Sequence, residues 1–219
     1  MRGYANEQTR LFGVVSLVGA LFFVTSIGLL QALRNDVDWT IHYVSDFVNG
    51  PIGWLFVLAT LVHGLGNLCL GLGLARSLRA STSPLVSGLV VASASGIVVA
   101  AVFPTDPANG AQTWTGFVHV NAVAASFALE LAAILILATT ISKIDAWKTH
   151  ARMGLALSLF SFGGLGTFVI LRFAGQLPGL GERIALSAFT AWEVWASVRL
   201  IRLTSEGKAH DHHDGRGLS

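Results

Sequence analysis

GFVHVNAVAASFALELAAILILATTI, residues 116–141, decides the fold. The run carries one acid, Glu130, near its middle, and its apolar residues do not alternate with polar ones. At about 1.5 Å per residue, a helix of this length covers the roughly 30 Å hydrocarbon core of a bilayer. Lipid offers no partner to backbone N–H and C=O groups, so a helix is the form in which such a run can cross. A β-barrel would show alternating segments of about ten residues.

Working outward, five more runs have the same character: about 11–33, 52–75, 85–103, 153–171 and 184–203. Of the 219 residues 53% are hydrophobic and 12% are charged, and the mean hydropathy is +0.65. A soluble fold of this length has too little interior for that much apolar surface. The expectation is an all-α polytopic bundle of six transmembrane helices in one membrane domain, 1–203, followed by a disordered tail, 204–219. The first run, from Leu11 to Leu33, is too long for a signal-peptide core and reads as a span. Cys69 is the single cysteine, so no intrachain disulfide forms. The cations form no stripe for nucleic acid. Eleven arginines against three lysines, with abundant Ala and Gly, suit a GC-rich bacterial genome and a bacterial or archaeal plasma membrane.

Orientation follows from the cations. Arg34, Arg172 and Arg183 lie on one side; the other eleven of the 14 Lys and Arg lie on the side of both termini. The termini are therefore expected in the cytoplasm. The opposite side holds the more polar loops, the first of them long, with Trp39, Tyr43 and Phe47 expected at headgroup level. Small residues recur every four positions in the third span (Gly88, Ala92, Gly96, Ala100) and the fourth (Ala124, Ala128, Ala132). That spacing lets helices approach closely and points to these two spans as the bundle centre. The tail carries His210, Asp211, His212, His213 and Asp214, a cluster of the kind that binds metal adventitiously.

An ionisable group inside the membrane costs roughly 2.5–3.5 kcal/mol at a helix centre, so each is a functional candidate. His63, Glu130 and Glu193 lie deep in their spans. Helical spacing places Thr60, His63 and Asn67 on one face, His119, Ser126 and Glu130 on another, and Thr190, Glu193 and Ser197 on a third. The bland alternative is interhelical glue, which Ser or Asn would supply more cheaply than Glu130 does. A second group gathers at the outer mouth: Ser45, Asp46, Asp106, His119, Glu182 and Arg183. Carboxylates beside a histidine suit ligand binding, acid–base work or a metal, with His119, Asp106 and Asp46 as the candidate ligands. Helix capping is the competing account for Asp106 and Glu182.

The mouth residues also carry a resemblance. Phe103-Pro104-Thr105-Asp106 closing the third span, Gly116 and His119 opening the fourth, Ser45-Asp46, and Gly179-Leu180-Gly181-Glu182-Arg183 followed by Trp192 together resemble the domain-of-unknown-function 998 family. The likeness runs from the first span to the last. It implies a bacterial or archaeal polytopic membrane protein and supplies no activity. A more distant likeness to membrane zinc hydrolases of the alkaline ceramidase type lacks their His-x-x-x-His pair.

Three functions compete. One is the binding or transport of a small or lipidic solute through a polar site opening to the outer face. Another is an intramembrane metal-dependent lipid hydrolase. The third is a structural or regulatory subunit without turnover. The reading leaves enzymatic activity undecided and leans away from it; no cofactor is indicated, and the oligomeric state is unassigned.

Overall fold

A computed structural model describes residues 7–78, 83–107 and 110–214, with side chains through 203. Among them there is no strand. Six long helices carry the chain: α1 (Glu7–Leu33), α2 (Gly53–Ser77), α3 (Ser83–Val102), α4 (Trp114–Thr140), α5 (Ala151–Phe173) and α6 (Pro178–Asp214). All six are long and apolar enough to cross a membrane. Leucines, valines and phenylalanines stand exposed along them, Leu21, Leu65, Leu159 and Phe162 among these. In water such a coat would be an aggregation surface; in lipid it is the solvated face. The protein is a multi-pass membrane protein.

Local chemistry sets the helix ends. Pro104 cannot continue α3, and Thr113 caps α4 by accepting the Gly116 N–H at 3.1 Å. Pro178 stands at the first position of α6, where its missing N–H costs nothing. That start lies six residues before the expected 184, so Gly179 to Arg183 are helical, and Glu182 and Arg183 fall in the second turn. At the other end α6 continues to Asp214. Side chains from 204 on, including the His210–Asp214 cluster, lie outside those described.

Sequence neighbours pack as neighbours, α1 also meets α6, and α2 touches α6 across the ring. The most buried helices are α6 and α2, not the expected α3 and α4. Ala92, Ala124 and Ala128 are exposed, and Gly88 meets nothing. The small residues that matter lie elsewhere: a Cβ on Gly19 of α1 would stand 2.9 Å from the Val62 carbonyl and 3.2 Å from the Gly66 Cα of α2. Buried hydroxyls tie further pairs, Ser197 to Ser16 at 2.8 Å and Ser161 to the Ala188 carbonyl at 3.3 Å.

Two apolar clusters fill the bundle. The larger lies toward the end that holds the termini and includes Leu74, Leu137, Ile141, Trp147 and Leu200. The smaller, Leu30, Val37, Val44, Phe47 and Phe56, lies at the opposite end, here called the mouth end. The long first loop folds down as a 3-10 turn, Val44–Val48, and Phe47 is fully buried instead of lying at headgroup level. Arg34 holds that loop. Its guanidinium donates to both Asp36 oxygens at 2.8 Å and to the carbonyls of Phe47, Asn49 and Pro51 at 3.3 Å. Gly50, at φ +151°, leaves the space that the guanidinium occupies.

Candidate functional site

Where the two apolar clusters meet, the bundle leaves a cavity. It reaches from Val44 and Ser45 in the first loop down to mid-membrane. The two polar groups that stand apart in the sequence share its wall: Ser45, His119 and Glu182 near the mouth, and His63, Glu130 and Glu193 below them. It has about 80 Å³ of room for the centres of water-sized molecules, several times the 10–15 Å³ or so that one water needs.

At its floor α2, α3, α4 and α6 each contribute to one network. The Glu193 carboxylate accepts from Asn67 Nδ2 at 2.6 Å and lies 2.8 Å from His63 Nε2. Phe23 of α1 stacks on the His63 ring, with centroids 4.6 Å apart. Glu130 accepts from the Ser93 hydroxyl at 3.2 Å through Oε2 and adjoins the Glu193 carboxyl. Two carboxyls can bond to each other only when one supplies a hydrogen. Oε1 of Glu130 has no donor. Ser126 bonds the Ser93 carbonyl at 3.0 Å, holding α4 on α3.

His119 and Pro104 explain one another. Helix geometry would have residue 104 donate to the Ala100 carbonyl, and proline has no N–H to give. His119 Nδ1 lies 2.8 Å from the Ala100 oxygen and 2.9 Å from the Phe103 oxygen. Both are acceptors, so Nδ1 carries the hydrogen and the neutral ring offers Nε2 as a lone pair. That nitrogen is buried and without a partner in a residue only 4% exposed.

Other mouth residues brace backbone instead of lining the cavity. Asp106 accepts from the Thr113 N–H at 2.9 Å and its hydroxyl at 2.6 Å, lowering its pKa below the usual carboxylate value. Gly116 is required beneath it, because any Cβ there would strike the Asp106 carboxyl. Asp46 accepts from the Tyr43 N–H at 2.9 Å, and burial raises its pKa. Arg183 donates to the His42 carbonyl at 2.8 Å and to Gln31 at 2.9 Å, clamping the first loop on α6. Glu182 does both jobs: it accepts from the Val44 N–H and lines the cavity.

Sequence reasoning passed over Arg34, Ser93 and Phe23. The signal for Arg34 was its position as a cation at the end of a span, and for Ser93 its place beside Ser95 in the middle of an apolar span. Phe23 left no signal. Among the described residues no three His, Cys, Asp or Glu side chains converge as a metal-binding group, and His119, Asp106 and Asp46 point to different tasks. Neither a curated protein nor a solved structure matches the chain. A sequence model of the family described as "Protein of unknown function (DUF998)" matches residues 17–199, most of the chain, and the protein belongs to that family.

Proposed function

We propose that the protein binds a small or lipidic solute in the cavity and admits it from the mouth end, which faces the outside of a bacterial or archaeal cell, with both termini in the cytoplasm. One observation carries the reading: His119 and Glu130 line the same cavity, and His119 Nε2 and Glu130 Oε1 are buried without a partner. A buried polar atom without a partner costs roughly 1–3 kcal/mol, and native structures seldom leave two beside one cavity unless something from solution reaches them. Glue between helices needs neither the space nor the empty valences.

Access from outside is the test. In a Cys69→Ser background, Val123→Cys places a thiol on the cavity wall one turn below His119, off the hydrogen-bond network. A membrane-impermeant methanethiosulfonate added to intact cells is expected to label it, and Ser45→Cys near the mouth to label faster. If Val123→Cys stays unreactive from outside while denatured protein reacts fully, the cavity is sealed and the chain is a structural subunit.

A further inference from the structure

The chemistry of the wall narrows the solute, an inference that rests on the reading above. Both empty positions are acceptors. The Nε2 of His119 is one because its Nδ1 hydrogen is committed to two carbonyls; Oε1 of Glu130 is the other, with Ser93 already on Oε2. The two sit eleven residues apart on α4, about 16 Å along its axis, so they are successive stations, one near the mouth and one at mid-depth. Three carboxyls line the cavity, and among the described residues no lysine or arginine does.

The charges nearby are unevenly shared. Glu193 has His63 and Asn67. Glu182 has the Val44 N–H, with Arg183 adjacent in the chain. Glu130 adjoins Ser93 and Glu193, with no basic side chain beside it. Phe23, Phe56, Phe127 and Phe189 supply much of the remaining wall. Aromatic faces attract cations, and the hydrogen that joins the Glu130 and Glu193 carboxyls is one that an ammonium N–H can replace.

We propose that the cavity takes a small apolar organic cation, a primary or secondary ammonium. Its N–H groups meet His119 Nε2 on the way in and Glu130 Oε1 at the end, while its carbon arm lies on the phenylalanines.

Calorimetric titration of the full chain in lipid nanodiscs, with empty nanodiscs as the blank, compares three probes of one size: pentylammonium, 1-pentanol and pentanoate. Pentylammonium is expected to bind at least about tenfold tighter than the alcohol, the scale of one charge-assisted hydrogen bond, and pentanoate weakest. Glu130→Gln should bring the ammonium to the level of the alcohol; should that variant misfold, the wild-type series alone decides. Equal binding of ammonium and alcohol, tighter binding of pentanoate, or no binding of any probe overturns the cation assignment. If Val123→Cys is still labelled from outside, only the assignment falls and the open cavity stands.

Discussion

The two ends of one bundle are built differently. Toward the termini α2 to α6 close on an apolar cluster, with Leu74, Ile134 and Leu137 at 0–1% exposure. Toward the mouth the bundle leaves a cavity whose open lining is almost wholly apolar, with histidines, hydroxyls and carboxyls set among the phenylalanines, and the folded first loop forms part of its wall. Lipid surrounds both ends alike, so the contrast lies in the interior. The terminal end is packed throughout, and the bundle above it gives up packing to keep a cavity.

That contrast can be broken most forcefully at Trp147. This residue sits between α4 and α5, fully buried, with its ring edge-on to Trp195 at a centroid distance of 5.7 Å. Trp147→Ala should cost about 3–5 kcal/mol in a detergent-resistance or thermal melt, yet leave Val123→Cys labelling of the folded fraction unchanged. Labelling that rises with it would show that the ends are not independent. A smaller loss is expected from Asn67→Ala, which strips the Glu193 carboxylate of its 2.6 Å donor. About 1–3 kcal/mol is the scale for a buried charged group left short of a partner, and here binding of the pentylammonium probe should change as well.

Gly19→Ala comes next. Its methyl would press on the Val62 carbonyl of α2 at 2.9 Å, and overpacking of this kind costs about 1–3 kcal/mol. Unaltered melting would mean that α1 and α2 stand farther apart than described.

The smallest effects are those of pH, and they run in opposite directions at two mouth acids. The Thr113 hydrogen bonds lower the Asp106 pKa. Its contribution is therefore present above the unfolded value, about 3.9, and is lost as pH falls through the folded one. Asp106→Asn should melt lower than wild type at neutral pH and converge with it in acid. Burial raises the Asp46 pKa, so charging it works against the fold as pH rises from about 4. Asp46→Asn keeps an acceptor for the Tyr43 N–H and should melt at or above wild type at pH 7, with the gain vanishing in acid. Thermal melts of both variants between pH 3 and 8 check the two signs together.

Much of the site was legible in parts. Spacing alone placed Thr60, His63 and Asn67 on one face and His119, Ser126 and Glu130 on another, because helix periodicity is rigid. Capping was legible for Asp106 only at the Phe-Pro end of the third span; in the fold it instead holds Thr113, the residue that caps α4. What spacing could not convey is that His119 answers Pro104: the orphaned Ala100 carbonyl and the imidazole are 19 positions apart and meet only when α3 packs on α4. Nor could composition show that Arg34 and Phe47, both in a loop expected at the interface, are among the most buried residues of the mouth end.

By itself the sequence determined the number of spans, their approximate limits and the family, since apolar length and the ban on unpaired backbone in lipid admit one class of answer. Only the tertiary structure decided how each helix is rotated about its axis. These helices are apolar on nearly every side, and lipid is as greasy as leucine, so no hydrophobic face dictates which side turns inward. Close approaches such as Gly19 on Gly66 and bonds such as Asn67 to Glu193 choose the rotation. That choice makes α2 and α6 the buried helices and brings two separate polar groups around one cavity.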